Sequence, residues 1–274
     1  MGNSKDYSLC EDGTRIAYRL LERADDAPRI ALVHSLAMDQ SFWLPVIERL
    51  TDAASVLIYD CRGHGASTKP PGPYTTSLFA NDLAELMGHI GWHSAVVAGA
   101  SMGGCVSLAF SANFPHRTNG LGLIDTTAWY GPDAPAAWAQ RAERAATEGL
   151  QSLIEFQVTR WFSEAFGTEH PKMVQHCINV FLANDPAAYA ETCRMLGATD
   201  LRPALPLITS PTTIIVGEED YAAPVAMAQR MHEGISESRL VIIENARHLT
   251  PLEAPDRIAS ELKLLLKTER SHEN

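Results

Sequence analysis

Positive charge is scarce in this sequence. Its 274 residues carry 22 lysines and arginines against 33 aspartates and glutamates, a formal net charge of -11. Nucleic acids and anionic membrane surfaces need clustered Lys and Arg, so neither is expected as a partner. Long apolar runs are missing too: no window approaches the ~18 residues of a membrane span. The opening MGNSKDYSLC lacks the apolar core of a secretory leader, and Asp6 stands where myristoylation at Gly2 would want Ser or Thr. The five cysteines (Cys10, Cys61, Cys105, Cys177, Cys193) are odd in number and show no paired ligand spacing. This argues against a disulfide framework and against a zinc site, and for reduced thiols in a cytoplasmic compartment. Neither a metal nor any other cofactor is expected. There is no internal repeat and no low-complexity linker, and with 46% hydrophobic residues the chain can bury one large core. Nothing in it bears on oligomeric state.

What the sequence does hold is concentrated in Ser94 to Asn113. The β-branched run Ala95-Val96-Val97-Ala98 enters Gly99-Ala100-Ser101-Met102-Gly103-Gly104, and a helical pattern (Val106, Leu108, Ala109, Phe110) leaves it. Gly-x-Ser-x-Gly between a strand and a helix has a mechanical reason. The turn residue sits in a strained conformation, and glycines beside it allow the strand and helix to approach. Ser101 is then held proud of the sheet, with amide N–H groups at the positive end of the helix beside it.

Before this turn, Tyr7–Cys10 and Thr14–Leu21 flank an Asp-Gly turn and read as an antiparallel hairpin at one edge of the sheet. Arg29–Val33 and Ser55–Tyr59 read as buried strands. Helices are expected from about Gln40 to Leu50 and from Leu78 to Ile90. His34, Asp60, Arg62 and His64 read as structural residues bracing their loops, and His89 and His93, separated by Gly91, as capping or loop residues. After the strand Leu121–Ile124 the strand signals stop. Helical stretches at Ala136–Ala146, Leu150–Phe162, Pro171–Ala183 and Pro186–Leu196 follow, and strands resume at Thr212–Val216 and Arg239–Ile243 before a closing helix Pro255–Lys267. The alternation of strand and helix gives an α/β fold: a mostly parallel sheet with helices on both faces. Residues 1–130 and 205–274 are expected to form the core, and 131–204 a helical cap over the strand ends.

A serine nucleophile needs a histidine base and an acid to orient it, following in the order serine, acid, histidine beyond the ends of later strands. Asp220 and His248 occupy those places. Asp125, also just past a strand end, is a competing acid. Asp220 has a second reading as a helix cap near Pro224, and His248 as a loop histidine. The backbone N–H groups of Leu36 and Met102 are the candidate donors to a developing oxyanion.

The segments HSLAMD (34–39), YDCRGHGAS (59–67), GASMGG (99–104), VGEEDYAAP (216–224) and ARHLTPLEAPD (246–256) resemble the α/β-hydrolase superfamily over nearly the whole chain. Within it, HSLAMDQSFW, LIDTTAWYGPDA, RWFSEAF and DPAAYAETCRMLGATDLRP are similar to 3-oxoadipate enol-lactonase-like serine hydrolases. The resemblance implies an α/β-hydrolase fold, a Ser101–His248–Asp220 triad, and a small lactone or ester as substrate. A carboxylate-bearing enol-lactone would call for a cation in the cap, with Arg160 beside Trp161 and Arg141 near Trp138 as candidates. Trp129, Trp138, Arg160 and Trp161 are the expected substrate-binding residues. Alternatives on the same residues are hydrolysis of a carbon–carbon bond in ring-cleavage products, peracid formation, or a binding protein without catalysis.

Overall fold

The structure is a computed structural model that describes residues 6–24 and 27–272, with side chains to residue 267. The segment weighed above for a leader or lipid anchor, residues 1–5, lies outside the described residues. Strands β1 (Asp6–Leu9) and β2 (Arg15–Leu21) form the expected hairpin. Gly13 turns it at φ +83°, and Asp12 accepts the Thr14 N–H at 2.9 Å. Then come β3 (Arg29–Val33), α1 (Leu44–Leu50), β4 (Ser55–Tyr59), α2 (Thr76–His89), β5 (Ala95–Ala100), α3 (Met102–Asn113) and β6 (Thr118–Ile124). Helices α4 (Ala134–Glu148), α5 (Ile154–Trp161), α6 (Glu164–Glu169), α7 (Pro171–Leu182) and α8 (Pro186–Ala198) follow without a strand between them. The chain then returns through β7 (Thr212–Gly217), α9 (Val225–Gly234), β8 (Ser238–Ile243), α10 (Thr250–Glu253) and α11 (Pro255–His272).

The eight strands make one sheet in the order β1-β2-β4-β3-β5-β6-β7-β8. The hairpin strand β2 joins β4 antiparallel, and every pairing from β4 to β8 is parallel. Strands β4, β5 and β7 are buried along their whole length, as parallel strands covered by helices on both faces must be. Helix α3, buried from Met102 to Ser111, lies against the sheet and so lacks a polar face.

The departures from the expected elements have local causes. The helix expected from Gln40 begins as a 3₁₀ turn over Gln40–Trp43, started by Asp39, whose carboxylate accepts the Ser41 N–H; Pro45 then opens α1. The stretch Leu150–Phe162 divides likewise into a 3₁₀ turn, Leu150–Leu153, and the short α5. Helices α6 and α10, of 6 and 4 residues, are too short for periodicity to reveal. Among the described residues no helix is long and apolar enough to cross a membrane, and all five cysteines are buried and unpaired.

Register explains why distant residues meet. The parallel ladder pairs Val33 with Gly99, Ala100 with Ile124, Ile124 with Ile215, and Gly217 with Ile243. The carboxyl ends of five strands therefore lie along one edge, and the loops that leave them open onto the same side. The loops after β7 and β8 are further zipped together by Glu218 N–H to Ile243 O (2.8 Å) and Glu219 N–H to Ala246 O (2.9 Å).

Candidate active site

Ser101 sits between β5 and α3 with φ +53° and ψ -114°, a conformation that L-residues avoid. Close packing imposes it. A Cβ on Gly99 would lie 2.0 Å from the Gly103 carbonyl oxygen, and one on Gly103 would lie 2.2 Å from that of Val33. The turn is pinned from β6 by Ser101 N–H to Ile124 O (2.8 Å) and Thr126 O–H to Ser101 O (2.7 Å).

The serine hydroxyl donates to His248 Nε2 at 2.8 Å, and His248 Nδ1 donates to Asp220 Oδ2 at 2.8 Å. An ionised carboxylate can only accept, so the ring proton belongs on Nδ1 and Nε2 is left with its lone pair toward Ser101. The three residues are 6%, 8% and 3% exposed, which keeps this chain of hydrogen bonds out of bulk water. Burial alone disfavours an imidazolium. The charge of Asp220 and its hydrogen bond, with Asp125 behind them, outweigh burial and hold His248 above the ordinary histidine value. The other oxygen of Asp220 accepts the N–H groups of Ala222 and Ala223 at 2.7 and 2.9 Å. The helix-cap reading of Asp220 does not hold, because α9 starts after Pro224 with no side-chain cap; Oδ1 instead closes the turn of its own loop, while Oδ2 meets the imidazole.

Asp125, the competing acid, does not bond to the imidazole. Its Oδ1 accepts from Gly217 N–H (3.1 Å) and its Oδ2 from the N–H and O–H of Thr250 (3.0 and 2.7 Å). It ties the end of β6 to the two loops that carry Asp220 and His248. Complete burial beside Asp220 drives its pKa well above the carboxylate range.

His34 braces the turn after β3: its Nδ1 donates to Ser35 O (2.8 Å) while its Nε2 accepts from Cys61 N–H (3.0 Å). The Ser35 carbonyl also accepts from Met38 N–H. In a trans peptide C=O and N–H point opposite ways, so anchoring this carbonyl turns the Leu36 N–H toward the other side. Leu36 lines the same cavity as Ser101, and its amide, like that of Met102, carries no hydrogen bond among the described residues. Asp60 takes Gln40 N–H and Ala66 N–H on its two oxygens, and Arg62 is held by Asp82, so these residues serve the loop.

Above Ser101 lies a cavity of about 80 Å³ lined by Ser35, Leu36, Tyr130, Trp138, Arg141, Gln157, Arg160, Trp161, Ala222 and His248 as well. A wider vestibule of about 530 Å³ shares Tyr130, Trp138, Arg141, Arg160 and Ala222 with it, and adds Arg144, Leu153 and Phe156. Of the four residues expected to bind substrate, Trp138, Arg160 and Trp161 lie in the wall of the cavity. Trp129 does not. Its backbone pairs with Asp200, and its ring lies under Arg202, 3.7 Å from the guanidinium carbon to the ring centre. Neighbouring residues of an extended segment point to opposite sides, so it is Tyr130 that faces the cavity. Tyr130 and Gln157 escape a reading by residue type, since a lone Tyr or Gln carries no motif. No strand periodicity leads to Tyr130 either, because the chain leaves β6 through Asp125 at φ +48°.

Arg141 donates to the Tyr189 hydroxyl (2.6 Å) and lies over the Trp138 ring, while Arg160 donates to Tyr221 O (3.3 Å). Among the described residues neither guanidinium is paired with a carboxylate. Two cations facing a small, half-closed space without counterions make an anion-receptive wall.

The fold and the elbow define a class. The model of the Alpha/beta hydrolase family matches residues 30–261, and the chain belongs to that family. Among its relatives is 3-oxoadipate enol-lactonase 2 of Acinetobacter baylyi, 31% identical over 242 residues, 88% of this chain and 90% of that one. Similar solved structures include the enol-lactonase from Burkholderia xenovorans LB400 (34% identity, TM-score 0.91, 96% of this chain and 100% of that one). A thermophilic esterase from Thermogutta terrifontis with malate bound is similar as well, at 29% identity and TM-score 0.90, over 97% of this chain and 99% of that one.

Proposed function

We propose that this protein hydrolyses a lactone or small carboxylic ester that bears a carboxylate, through an acyl-enzyme on Ser101. The observation that carries the reading is the unbroken hydrogen-bonded chain from the Ser101 hydroxyl through His248 to Asp220. As Ser101 Oγ attacks the carbonyl carbon, His248 Nε2 takes its proton, and Asp220 stabilises the cation that forms. The oxyanion rests on the N–H groups of Leu36 and Met102, the second at the N-terminus of α3. Collapse breaks the C–O bond to the leaving oxygen, which receives the proton from His248. For a lactone that oxygen stays tethered to the acyl group. Water then attacks the ester, again with His248 as base, and frees Ser101 and the carboxylic acid.

Residues 131–204 act as the cap of this site, with Trp138 and Trp161 framing the acyl group and Arg141 and Arg160 receiving the substrate carboxylate. The unpaired state of both guanidiniums supports that assignment, as do the enol-lactonases and the malate-bound esterase among the similar proteins. No cofactor enters the scheme, and the five buried free thiols suit a reducing, cytoplasmic setting. Ser101→Ala is expected to abolish both ester turnover and labelling by an organophosphonate. Labelling that survives the substitution places the nucleophile elsewhere.

A further inference from the structure

The C-terminus of α5 ends without a cap of its own: Phe162 is extended, and no amide of the same helix turns back to its last carbonyls. A helix end half-buried in this way needs partners from outside. All of them come from three consecutive residues of the loop after β8. Arg247 Nη1 donates to Thr159 O and to Phe162 O, both at 3.0 Å. Between these, His248 N–H reaches Arg160 O (3.4 Å) and Leu249 N–H reaches Trp161 O (3.0 Å). Glu253 closes the joint, its Oε1 accepting from Ser163 N–H (3.0 Å) and the Ser163 hydroxyl, its Oε2 from Arg247 N–H (2.9 Å). Arg247 also faces Glu219 at 3.4 Å and lies over the Tyr221 ring, on the loop that carries Asp220. Its positive charge at the negative end of α5 adds to the hydrogen bonds.

From this joint we infer that Arg247 is a positioning residue, which seats the cavity wall formed by Arg160 and Trp161 on the loop of His248 without touching substrate itself. The inference rests on the catalytic reading above for its kinetic consequence, but not for its structural one. His248 is held independently by Asp220 and Ser101, so loss of the Arg247 side chain loosens the end of α5 and spares the base. Substrates that reach Arg160 then suffer, while a small neutral ester does not.

The test compares Arg247→Met, which keeps the stem and removes the donors, with Arg247→Lys, whose single ammonium can serve only part of the joint. Amide hydrogen exchange over residues 154–163 is expected to quicken about tenfold or more in the Met variant, with β5 and α3 unchanged. KM for a carboxylate-bearing ester is expected to rise about tenfold with kcat for an aryl acetate held within about twofold, and the Lys variant is expected to lie between. Unchanged exchange overturns the inference, and so does an equal loss on both esters. Should Arg247→Met fail to fold, the Lys variant carries the same comparisons. Wild-type protein that turns over neither ester refutes the catalytic reading, and the exchange measurement still decides the joint.

Discussion

Replacing Asp220 by Asn tests the electrostatics of the site most sharply, because two backbone donors dictate how the new amide must lie. Oδ1 of Asp220 accepts the N–H groups of Ala222 and Ala223. An Asn there keeps its carbonyl oxygen on those donors, for turning over would set an NH₂ against two N–H groups. The NH₂ therefore faces His248 Nδ1, and the ring can meet it only by moving its own proton to Nε2, the atom that must accept from Ser101. A charge-assisted hydrogen bond is lost, worth about 1.5–3 kcal/mol, and restoring the working tautomer sets donor against donor at about 1–3 kcal/mol more. Together these give an expected fall in kcat of roughly 10²–10⁴-fold. The pH profile changes as well. In the wild-type protein His248 is held above the ordinary histidine value, so kcat/KM falls as pH drops through that raised pKa, only the neutral ring being able to take the serine proton. Without the carboxylate charge, burial dominates and the acidic limb moves to lower pH. Steady-state kinetics across pH 4–9 on an aryl ester measure both effects on the order of one experiment. A variant within tenfold of wild type, or an acidic limb that stays in place, refutes the reasoning.

Asp125→Ala strands the amide of Gly217 and the amide and hydroxyl of Thr250, and is expected to cost about 3 kcal/mol in urea unfolding, with Asp125→Asn milder. Gly103→Ala forces a methyl group to within 2.2 Å of the Val33 carbonyl oxygen, a backbone atom with nowhere to go. A loss of at least about 1–3 kcal/mol, read as a lowered Tm, is expected. Arg141→Met is expected to raise KM for a carboxylate-bearing ester about 10- to 100-fold while leaving an aryl acetate nearly untouched, which parallel kinetics on the two substrates would show.

Much of this architecture could be read from the chain because its signals are local. The β-branched run before Gly99 and the apolar helix after it make the elbow legible, and the ends of β3 and β4 fall where the apolar runs Arg29–Val33 and Ser55–Tyr59 fall. Asp220 and His248 could be placed because parallel strands carry their loops to one edge, so order along the chain becomes proximity. The choice between Asp220 and Asp125 was harder. Both follow strand ends, and only the hydrogen bonds of each oxygen separate them. Trp129 shows what pattern alone misses: a backbone bridge to Asp200, 71 positions further along, sets which of two adjacent aromatics turns inward. Arg141 and Arg160 belong to helices whose exposed faces look ordinary in sequence, and their lack of counterions appears only in three dimensions.

The helices from α4 to α8 leave from β6 and return on β7, its immediate neighbour in the sheet. An excursion that starts and finishes on adjacent strands looks like a detachable module, ready to be exchanged between relatives to retarget one catalytic core. The carbonyls of residues 159–162 add a third seam, far from either splice point, where the transplanted piece must meet Arg247, His248 and Leu249. A chimera joined cleanly at both strands but mismatched there would carry its new wall askew over an intact serine, so any library of exchanged helical segments should travel with residues 247–253 of the donor.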